Sequence, residues 1–487
     1  MSRQESSLHV TRRRTLQLGA AGALVGLLPI SAVAADGPAM AVPHQATGLK
    51  IGEVTEHSAC VWVRLTQFAE RLAGDEVALK ALTGDKTGTA DATSLPGACP
   101  AVAGEICVVY GVREDLSDGN VALWTPVTEA ADGVLQVMLS NLPADSVIHL
   151  RVEARSPTGV VSPTVIRGRF RTAPEAKANA AITGVVLGCH LYDKRDHADG
   201  FATYPSVAAL APHFLVQTGD NVYYDRDLGP FATTAPLARW QWERMFSLPR
   251  HRALLSSVAS YWEKDDHDTL KDDSWPGTTF GKLTFAEGQR IFRAQVPSGP
   301  LPYRTFRWGQ HVQVWLMEGR DFRSPNTMAD GPDKTIWGAE QLAWLQRTML
   351  ASDASWLILV SPTPIVGPDR KNKKDNHAND GFRHEGDAIK AWFAQHVAKR
   401  LVIINGDRHW QYHSVHPTLG LHEFSAGPTS NGLAEGSPGE DPTYHRFHRI
   451  GGGFLSFTAS PEAATPVLTV RHHKVDGTVA YSFRFAH

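Results

Sequence analysis

The sequence predicts an all-β sandwich followed by an α/β region that carries the chemistry. Three observations lead there. Residues 44–175 hold short β-rich runs divided by Gly, Pro, Asp and Ser. From residue 182 onward, apolar runs alternate with helical stretches. Most of those apolar runs end in acids, histidine or cysteine. With 487 residues, the chain exceeds what one hydrophobic core usually holds, so two domains are expected.

The first 34 residues stand apart. "TRRRTLQLGAAGALVGLLPISAVA" sets Arg12, Arg13 and Arg14 before a moderately apolar stretch and ends in Ala32-Val33-Ala34, a small-x-small cleavage pattern. Thr15, Leu16 and Gln17 follow the arginines in the order of a twin-arginine export signal. Residues 1–34 are therefore expected to be removed during export by the twin-arginine machinery, leaving a periplasmic or secreted protein. That route carries proteins already folded, often with a metal already loaded. No later run reaches the length of a membrane span.

In residues 44–175, "ACVWVRL", "EICVVYGV", "GVLQVMLSNL", "SVIHLRVEAR" and "TVIRGRFRT" read as strands. Their spacing suggests a sandwich of immunoglobulin or fibronectin type. "TAPEAKANAA" reads as a linker into a catalytic domain over 182–487. There the runs "ITGVVLGCH", "HFLVQTGDN", "VASYWEKDDHD", "VQVWLMEGRDFR", "SWLILVSPTP" and "LVIINGDRHW" are separated by helical patterns such as "GAEQLAWLQRTML" and "EGDAIKAWFAQHVAKR". That is α/β alternation.

Composition excludes little else. The formal charge of −2 gives no broad attraction to nucleic acid. Four cysteines in so long a chain exclude a disulfide scaffold. Cys99 and Cys107 are near enough in sequence to pair after export, and Cys189 stands alone.

Open α/β sheets gather function at the carboxyl ends of their strands. Those ends present Cys189, Asp220, Asp265, Asp266, His267, Glu318, Arg320, Asp407 and His409. One strand ending in Asp is a turn, whereas five strand ends bearing ligand-type groups indicate a site. Crowded carboxylates repel, and a shared cation offsets the repulsion. Asp220 and Tyr223 are spaced to face one ion from a tight turn. A phenolate and a thiolate are both anionic, so Tyr223 with Cys189 favours a highly charged ion such as Fe(III) over Zn(II). Asp407 and His409 alternate in "GDRH" and point to one side of an extended segment. Two cations about 3.5–4 Å apart commonly drive phosphate-ester cleavage.

These segments resemble the PhoD-like alkaline phosphatase D metallophosphatases, related more distantly to purple acid phosphatases and the calcineurin-like fold. "LGCHLY", "TGDNVYYD", "WEKDDHD", "EGRDFRSP" and "INGDRHW" carry the likeness, and "GEVTEHSACVWVR" and "GRFRTAP" extend it over the sandwich. The resemblance implies a four-layer metallophosphatase β-sandwich flanked by helices. It implies that Asp220 bridges two ions, that Cys189, Tyr223 and His409 hold Fe(III), and that Asp266 and Asp407 hold a second ion, Ca(II) in family members. It implies a metal-activated hydroxide as nucleophile, His267 facing the substrate, and Arg320, with Arg323, binding phosphoryl oxygens. Two positions depart from the family pattern. Glu318 stands where Asp is usual, and Glu263 and Lys264 separate Trp262 from the acids, which leaves the choice between Asp265 and Asp266 open.

The expected function is a metal-dependent phosphoesterase acting on phosphodiesters, phosphomonoesters or both. A phospholipase D-like action on lipid head groups is the alternative within enzymes. A non-catalytic secreted binding protein with a decayed metal site is the alternative from another class. Bound iron in the purified protein separates the last from the others. "DRKNKKDNHANDG", 369–381, is expected to be a solvated loop near the mouth of the site.

Overall fold

The computed structural model describes residues 42–74, 76–462 and 465–486. Residues 1–34, where an export signal is expected, lie outside them.

Two sheets form the centre. A nine-stranded sheet runs in the order Val479–Ala486, Thr465–Lys474, Gly453–Glu462, Ile182–Leu187, Phe214–Thr218, Ala259–Glu263, Leu49–Gly52, Ala59–Arg64, Val134–Leu139. A seven-stranded sheet holds Arg304–Trp308, Val312–Leu316, Trp356–Ser361, Leu401–Asn405, His422–Ser425, Gln411–Val415 and His445–Arg449. In both, the central strands are parallel, as βαβ crossovers require.

Alternation along the strands decides the layering. Val186, Val216, Val314, Ile358 and Ile404 point inward and join one core between the sheets. Val185, Leu187 and Leu215 point outward, against Trp240, Trp242 and Phe246 of the helix Ala235–Phe246. Leu357, Leu359 and Ile403 point outward from the other sheet, against the helices Gly338–Ala351 and Arg383–His396. Successive side chains face opposite sides of a strand, so near-continuous apolar runs need cover on both faces. The result is four layers: helices, sheet, sheet, helices. This is the mixed α/β fold that the alternation predicts.

The N-terminal region is β-rich, as expected, but its strands divide between two sheets. Gly104–Gly111, Val147–Arg155, Ile166–Arg171, Asn120–Val121 and Thr125–Val127 form a separate five-stranded sheet. Leu49–Gly52, Ala59–Arg64 and Val134–Leu139 extend the nine-stranded sheet, with Gly52 opposite Ser260. A buried ion triad reinforces the junction: Arg64 Nη2 lies 2.7 Å from Asp132 and 2.8 Å from Glu243. Cys99 and Cys107 are separate, buried free thiols. Among the described residues, no helix is long and apolar enough to cross a membrane.

Candidate metal centre

The site sits where strands of both sheets end. Ile182–Leu187 delivers Cys189, Phe214–Thr218 delivers Asp220 and Tyr223, and Ala259–Glu263 delivers Asp265, Asp266 and His267. The second sheet supplies Asp407 and His409 from Leu401–Asn405, and Arg320 from Val312–Leu316.

The backbone turns sharply at three of these ends. Cys189, Asp220 and Asp407 have φ of 56°, 50° and 62°, a left-handed conformation that costs a non-glycine residue about 1–3 kcal/mol. Each follows a glycine. Gly188 and Gly406 both back onto Thr218 Oγ1, and a Cβ at Gly406 would lie 2.5 Å from it. The strands thus approach closely enough for their ends to share one centre. Main-chain bonds staple two of the turns: His190 N donates to Asp220 O at 2.8 Å and Cys189 N to Gly219 O at 3.3 Å. Asp268 ties the Asp220 turn to the next strand end, accepting from Asp265 N at 2.7 Å and from Asn221 N at 3.0 Å.

Asp220 is the hub. Ligand atoms of Cys189, Asp220 and His409 lie within 4.8 Å of one another, as do those of Asp220, Asp265 and Asp407, and those of Asp220, Asp266 and His267. Tyr223 completes the first group, with its hydroxyl 3.1 Å from Asp220 Oδ2 and 3.3 Å from His409 Nε2. Cys189 Sγ lies 3.7 Å from the same Asp220 oxygen. Tyr224, by contrast, turns into the apolar layer and accepts a bond from Trp242 Nε1 at 2.7 Å.

These donors fit metal ions better than they fit one another. Asp220 Oδ1 and Asp265 Oδ2 are buried without a hydrogen-bond partner. Asp407 Oδ2 has only Arg408 Nη2, 2.7 Å away and out of hydrogen-bond alignment. Buried carboxylate oxygens are rarely left unmatched, and a cation is the usual resolution. Burial pushes Asp220 well above the usual carboxylate range, Asp265 up to about 7 and Asp407 up to about 6, with neighbouring carboxylates adding to each shift. Burial and Asp220 also hold the Cys189 thiol and the Tyr223 phenol far above their ordinary values. Only a strong positive charge at that spot would ionise both. His409 is pushed the other way, by burial and then by Arg226, so its ring is neutral and free to ligate.

Asp266 and Asp265 differ in kind. Both Asp266 oxygens are occupied, Oδ1 by His267 N at 3.0 Å and Oδ2 by Asp273 N at 2.7 Å. Against burial, Arg320 and His267 hold Asp266 below the usual range. Asp265 accepts from Arg320 Nε at 2.5 Å through Oδ1 and leaves Oδ2 open. Arg320 is only 1% exposed, and its terminal nitrogens face Ser274 O at 3.4 Å and Asp266 Oδ2 at 3.6 Å. His267 Nδ1 lies 2.5 Å from Asp225 Oδ1, and its ring packs on Tyr223 with centroids 4.5 Å apart. Burial alone would lower the His267 pKa, but Asp225, Asp266 and Asp220 together raise it.

The two departures from the family pattern compensate each other. Lys264 Nζ donates to Glu318 Oε1 at 2.6 Å and to Asp321 Oδ1 at 2.5 Å, so the inserted lysine neutralises the unusual glutamate. Glu263 accepts from Met317 N at 2.8 Å. Sequence reasoning passed over Asp225, Asp268 and Arg408. Each adjoins a motif, but no spacing rule singles it out. Histidines 377 and 413 lie in other networks, with Glu385 and with Tyr481 and His422.

The raised carboxylates set a pH prediction. In the metal-free protein, Asp265 and Asp407 hold protons that the unfolded chain releases near its ordinary value. The folded state therefore binds more protons between about pH 4 and pH 7, and its stability falls as pH rises through that window. The melting temperature of chelated protein is expected to drop from pH 5 to pH 7.5, and loading with metal should reverse the drop. A chelated protein that grows more stable over that range would remove the buried-proton account.

A four-layer α/β sandwich with an acid-rich, metal-fitting cluster at its strand ends defines a metallophosphatase, a phosphoric ester hydrolase. A family model described as PhoD-like phosphatase matches residues 185–448, and the chain belongs to that family. The fold is similar to the solved structure of PhoD, with a TM-score of 0.67, 16% identity and 92% of each chain covered. It is also similar to purple acid phosphatase PPD1 from yellow lupin (Lupinus luteus) seeds, with a TM-score of 0.59, 15% identity, 90% of this chain and 74% of that one. No curated protein matches the chain.

Proposed function

We propose that the chain is an exported two-cation phosphoesterase that hydrolyses phosphodiesters, phosphomonoesters or both. The observation that carries this reading is the set of unmatched buried carboxylate oxygens at Asp220, Asp265 and Asp407, beside a thiol, a phenol and a neutral imidazole. Cys189, Asp220, Tyr223 and His409 would hold Fe(III). Asp220, Asp265 and Asp407 would hold a second ion, Ca(II) by family likeness. The open oxygen of Asp265 favours it over Asp266, whose oxygens each already accept a main-chain bond.

Bound there, the two cations would polarise the phosphoryl group and acidify water. The chain's own groups do the rest. Asp225 takes Nδ1 of His267 and leaves Nε2 to protonate the departing alkoxide. Arg320 is committed to Asp265, so its role shifts from gripping phosphate to positioning that carboxylate. The export reading rests on Arg12, Arg13 and the Ala32-Val33-Ala34 site. The division into a sandwich at 44–175 and a catalytic domain at 182–487 is retained as part of the proposal, with the shared sheet as its junction.

Elemental analysis and colour test the ferric assignment together. Phenolate bound to Fe(III) absorbs visible light, whereas Zn(II) is d¹⁰ and has no such transition. The protein is expected to be coloured, and Tyr223→Phe should bleach or strongly shift the band while the fold survives. Tyr224→Phe should leave it in place. A colourless, fully active wild type would overturn iron, and an unchanged band in Tyr223→Phe would overturn that ligand.

A further inference from the structure

The two ring nitrogens of His409 have different surroundings. Nε2 faces the cluster, 3.3 Å from the Tyr223 hydroxyl. Nδ1 faces away from it, 3.8 Å from Glu435 Oε1. Among the described residues, Glu435 is the one carboxylate within 4 Å of that nitrogen. A neutral histidine that ligates through one nitrogen carries its proton on the other. That N–H calls for an acceptor, which fixes the ring and makes it a stronger donor to the ion.

Glu435 is placed to be that acceptor. It follows the short helical turn Asn431–Leu433, and its main-chain N donates to His409 O at 3.2 Å. The backbone therefore keeps Glu435 beside His409 whatever its side chain does. That side chain is more than half exposed and free to turn, and 3.8 Å is only about 1 Å longer than a charge-assisted hydrogen bond. Oε1 accepts from Arg226 Nη2 at 3.0 Å, which leaves Oε2 for the ring. The Arg226 guanidinium in turn lies 5.6 Å from the centre of the Tyr223 ring. One carboxylate thus stands between two ligands that come from different sheets. The pair lies on the more open side of the cluster: Cys189, Asp220 and Tyr223 are buried, whereas His409 and Asp407 are partly exposed. As a salt bridge alone the pair is worth little, about 0–1 kcal/mol, because both side chains reach solvent.

We propose that Glu435 is a positioning residue for His409, its carboxylate accepting Nδ1–H when Nε2 binds the ion, with Arg226 holding the other oxygen. The proposal rests on the ferric reading of the Cys189–Tyr223–His409 position and deepens it. Glu435 touches neither ion nor substrate; it acts through the imidazole.

Iron retention and colour test this on the full-length protein. Glu435→Leu removes the acceptor and is expected to weaken iron binding by about 10–100-fold in competition with a chelator, read by elemental analysis. A less basic His409 leaves Fe(III) more electron-poor, so the Tyr223-to-iron band should move to longer wavelength. Glu435→Gln keeps an acceptor without the charge and should recover most of the affinity, with a smaller shift of the band. Arg226→Gln breaks the salt bridge but leaves the carboxylate to His409, so iron affinity should stay within about twofold of the wild type. Glu440→Gln, exposed further along the same loop, should change neither reading. Wild-type affinity and an unmoved band in Glu435→Leu overturn the proposal. So does an Arg226→Gln protein that loses iron as readily as Glu435→Leu, since the salt bridge and not the contact with His409 would then be what matters. A wild type that binds no iron would overturn the ferric reading itself, a different failure.

Discussion

Asp220→Ala is expected to lose activity and bound metal together. Turnover should fall roughly a thousandfold or more, because metal catalysis supplies several kcal/mol and each 1.36 kcal/mol is tenfold in rate. Asp220 belongs to three of the candidate ligand groups, so no neighbour can replace it. The same substitution should change the stability of the metal-free protein little, since it deletes a buried carboxylate whose Oδ1 has no partner while it frees the Tyr223 hydroxyl from Oδ2. Asp220→Asn keeps the shape and serves as the second variant. Metal content by elemental analysis, kcat on p-nitrophenyl phosphate and the melting temperature of chelated protein together report the outcome. A variant that keeps both ions and turns over near the wild-type rate would end the bridging assignment.

His267→Ala should behave differently, losing about 10²–10⁴-fold in kcat while keeping its metals. The role assigned is proton donation to the leaving group, with Asp225 orienting the ring at 2.5 Å. Two consequences distinguish this from a purely structural role. Esters with very good leaving groups, which need no proton, should suffer least. Asp225→Asn should shift the alkaline limb of the pH–rate profile to lower pH, because removing that carboxylate lowers the pKa of the imidazole that must stay protonated. Loss of metal in His267→Ala would make the residue a ligand instead.

Much of the catalytic half was legible because parallel strands buried on both faces read as uninterrupted apolar runs that stop abruptly. Cys189, Asp220, Tyr223, Asp407 and His409 sit where those runs end, and the structure brings them together. The choice between Asp265 and Asp266 was not legible. Adjacent residues in a turn differ only in where their oxygens go, and that depends on Asp273, His267 and Arg320 arriving from elsewhere. The partner of Arg320 was not legible for a related reason. A guanidinium after a strand looks available in sequence, but its partner lies 55 residues away. The N-terminal strands were legible as strands and not as members of a sheet. "ACVWVR" is buried at every position, which alternation alone does not foretell, because its second face is covered by parts of the chain far along the sequence. The pairing of Lys264 with Glu318 follows the same logic: two irregularities, separately unexplained, answer each other in space.

The donor set also has a consequence for timing. Tyr223 and His409 stand 186 residues apart in the chain and come from different sheets. Neither sheet alone offers a complete pocket, so ions are captured only after both have formed and docked. Folding precedes loading, and the medium in which the chain folds offers the first choice of metal. A protein exported in its folded state would carry that choice with it. The composition of the inner compartment, rather than that of the fluid outside, would then decide which ion occupies the Cys189–Tyr223 position.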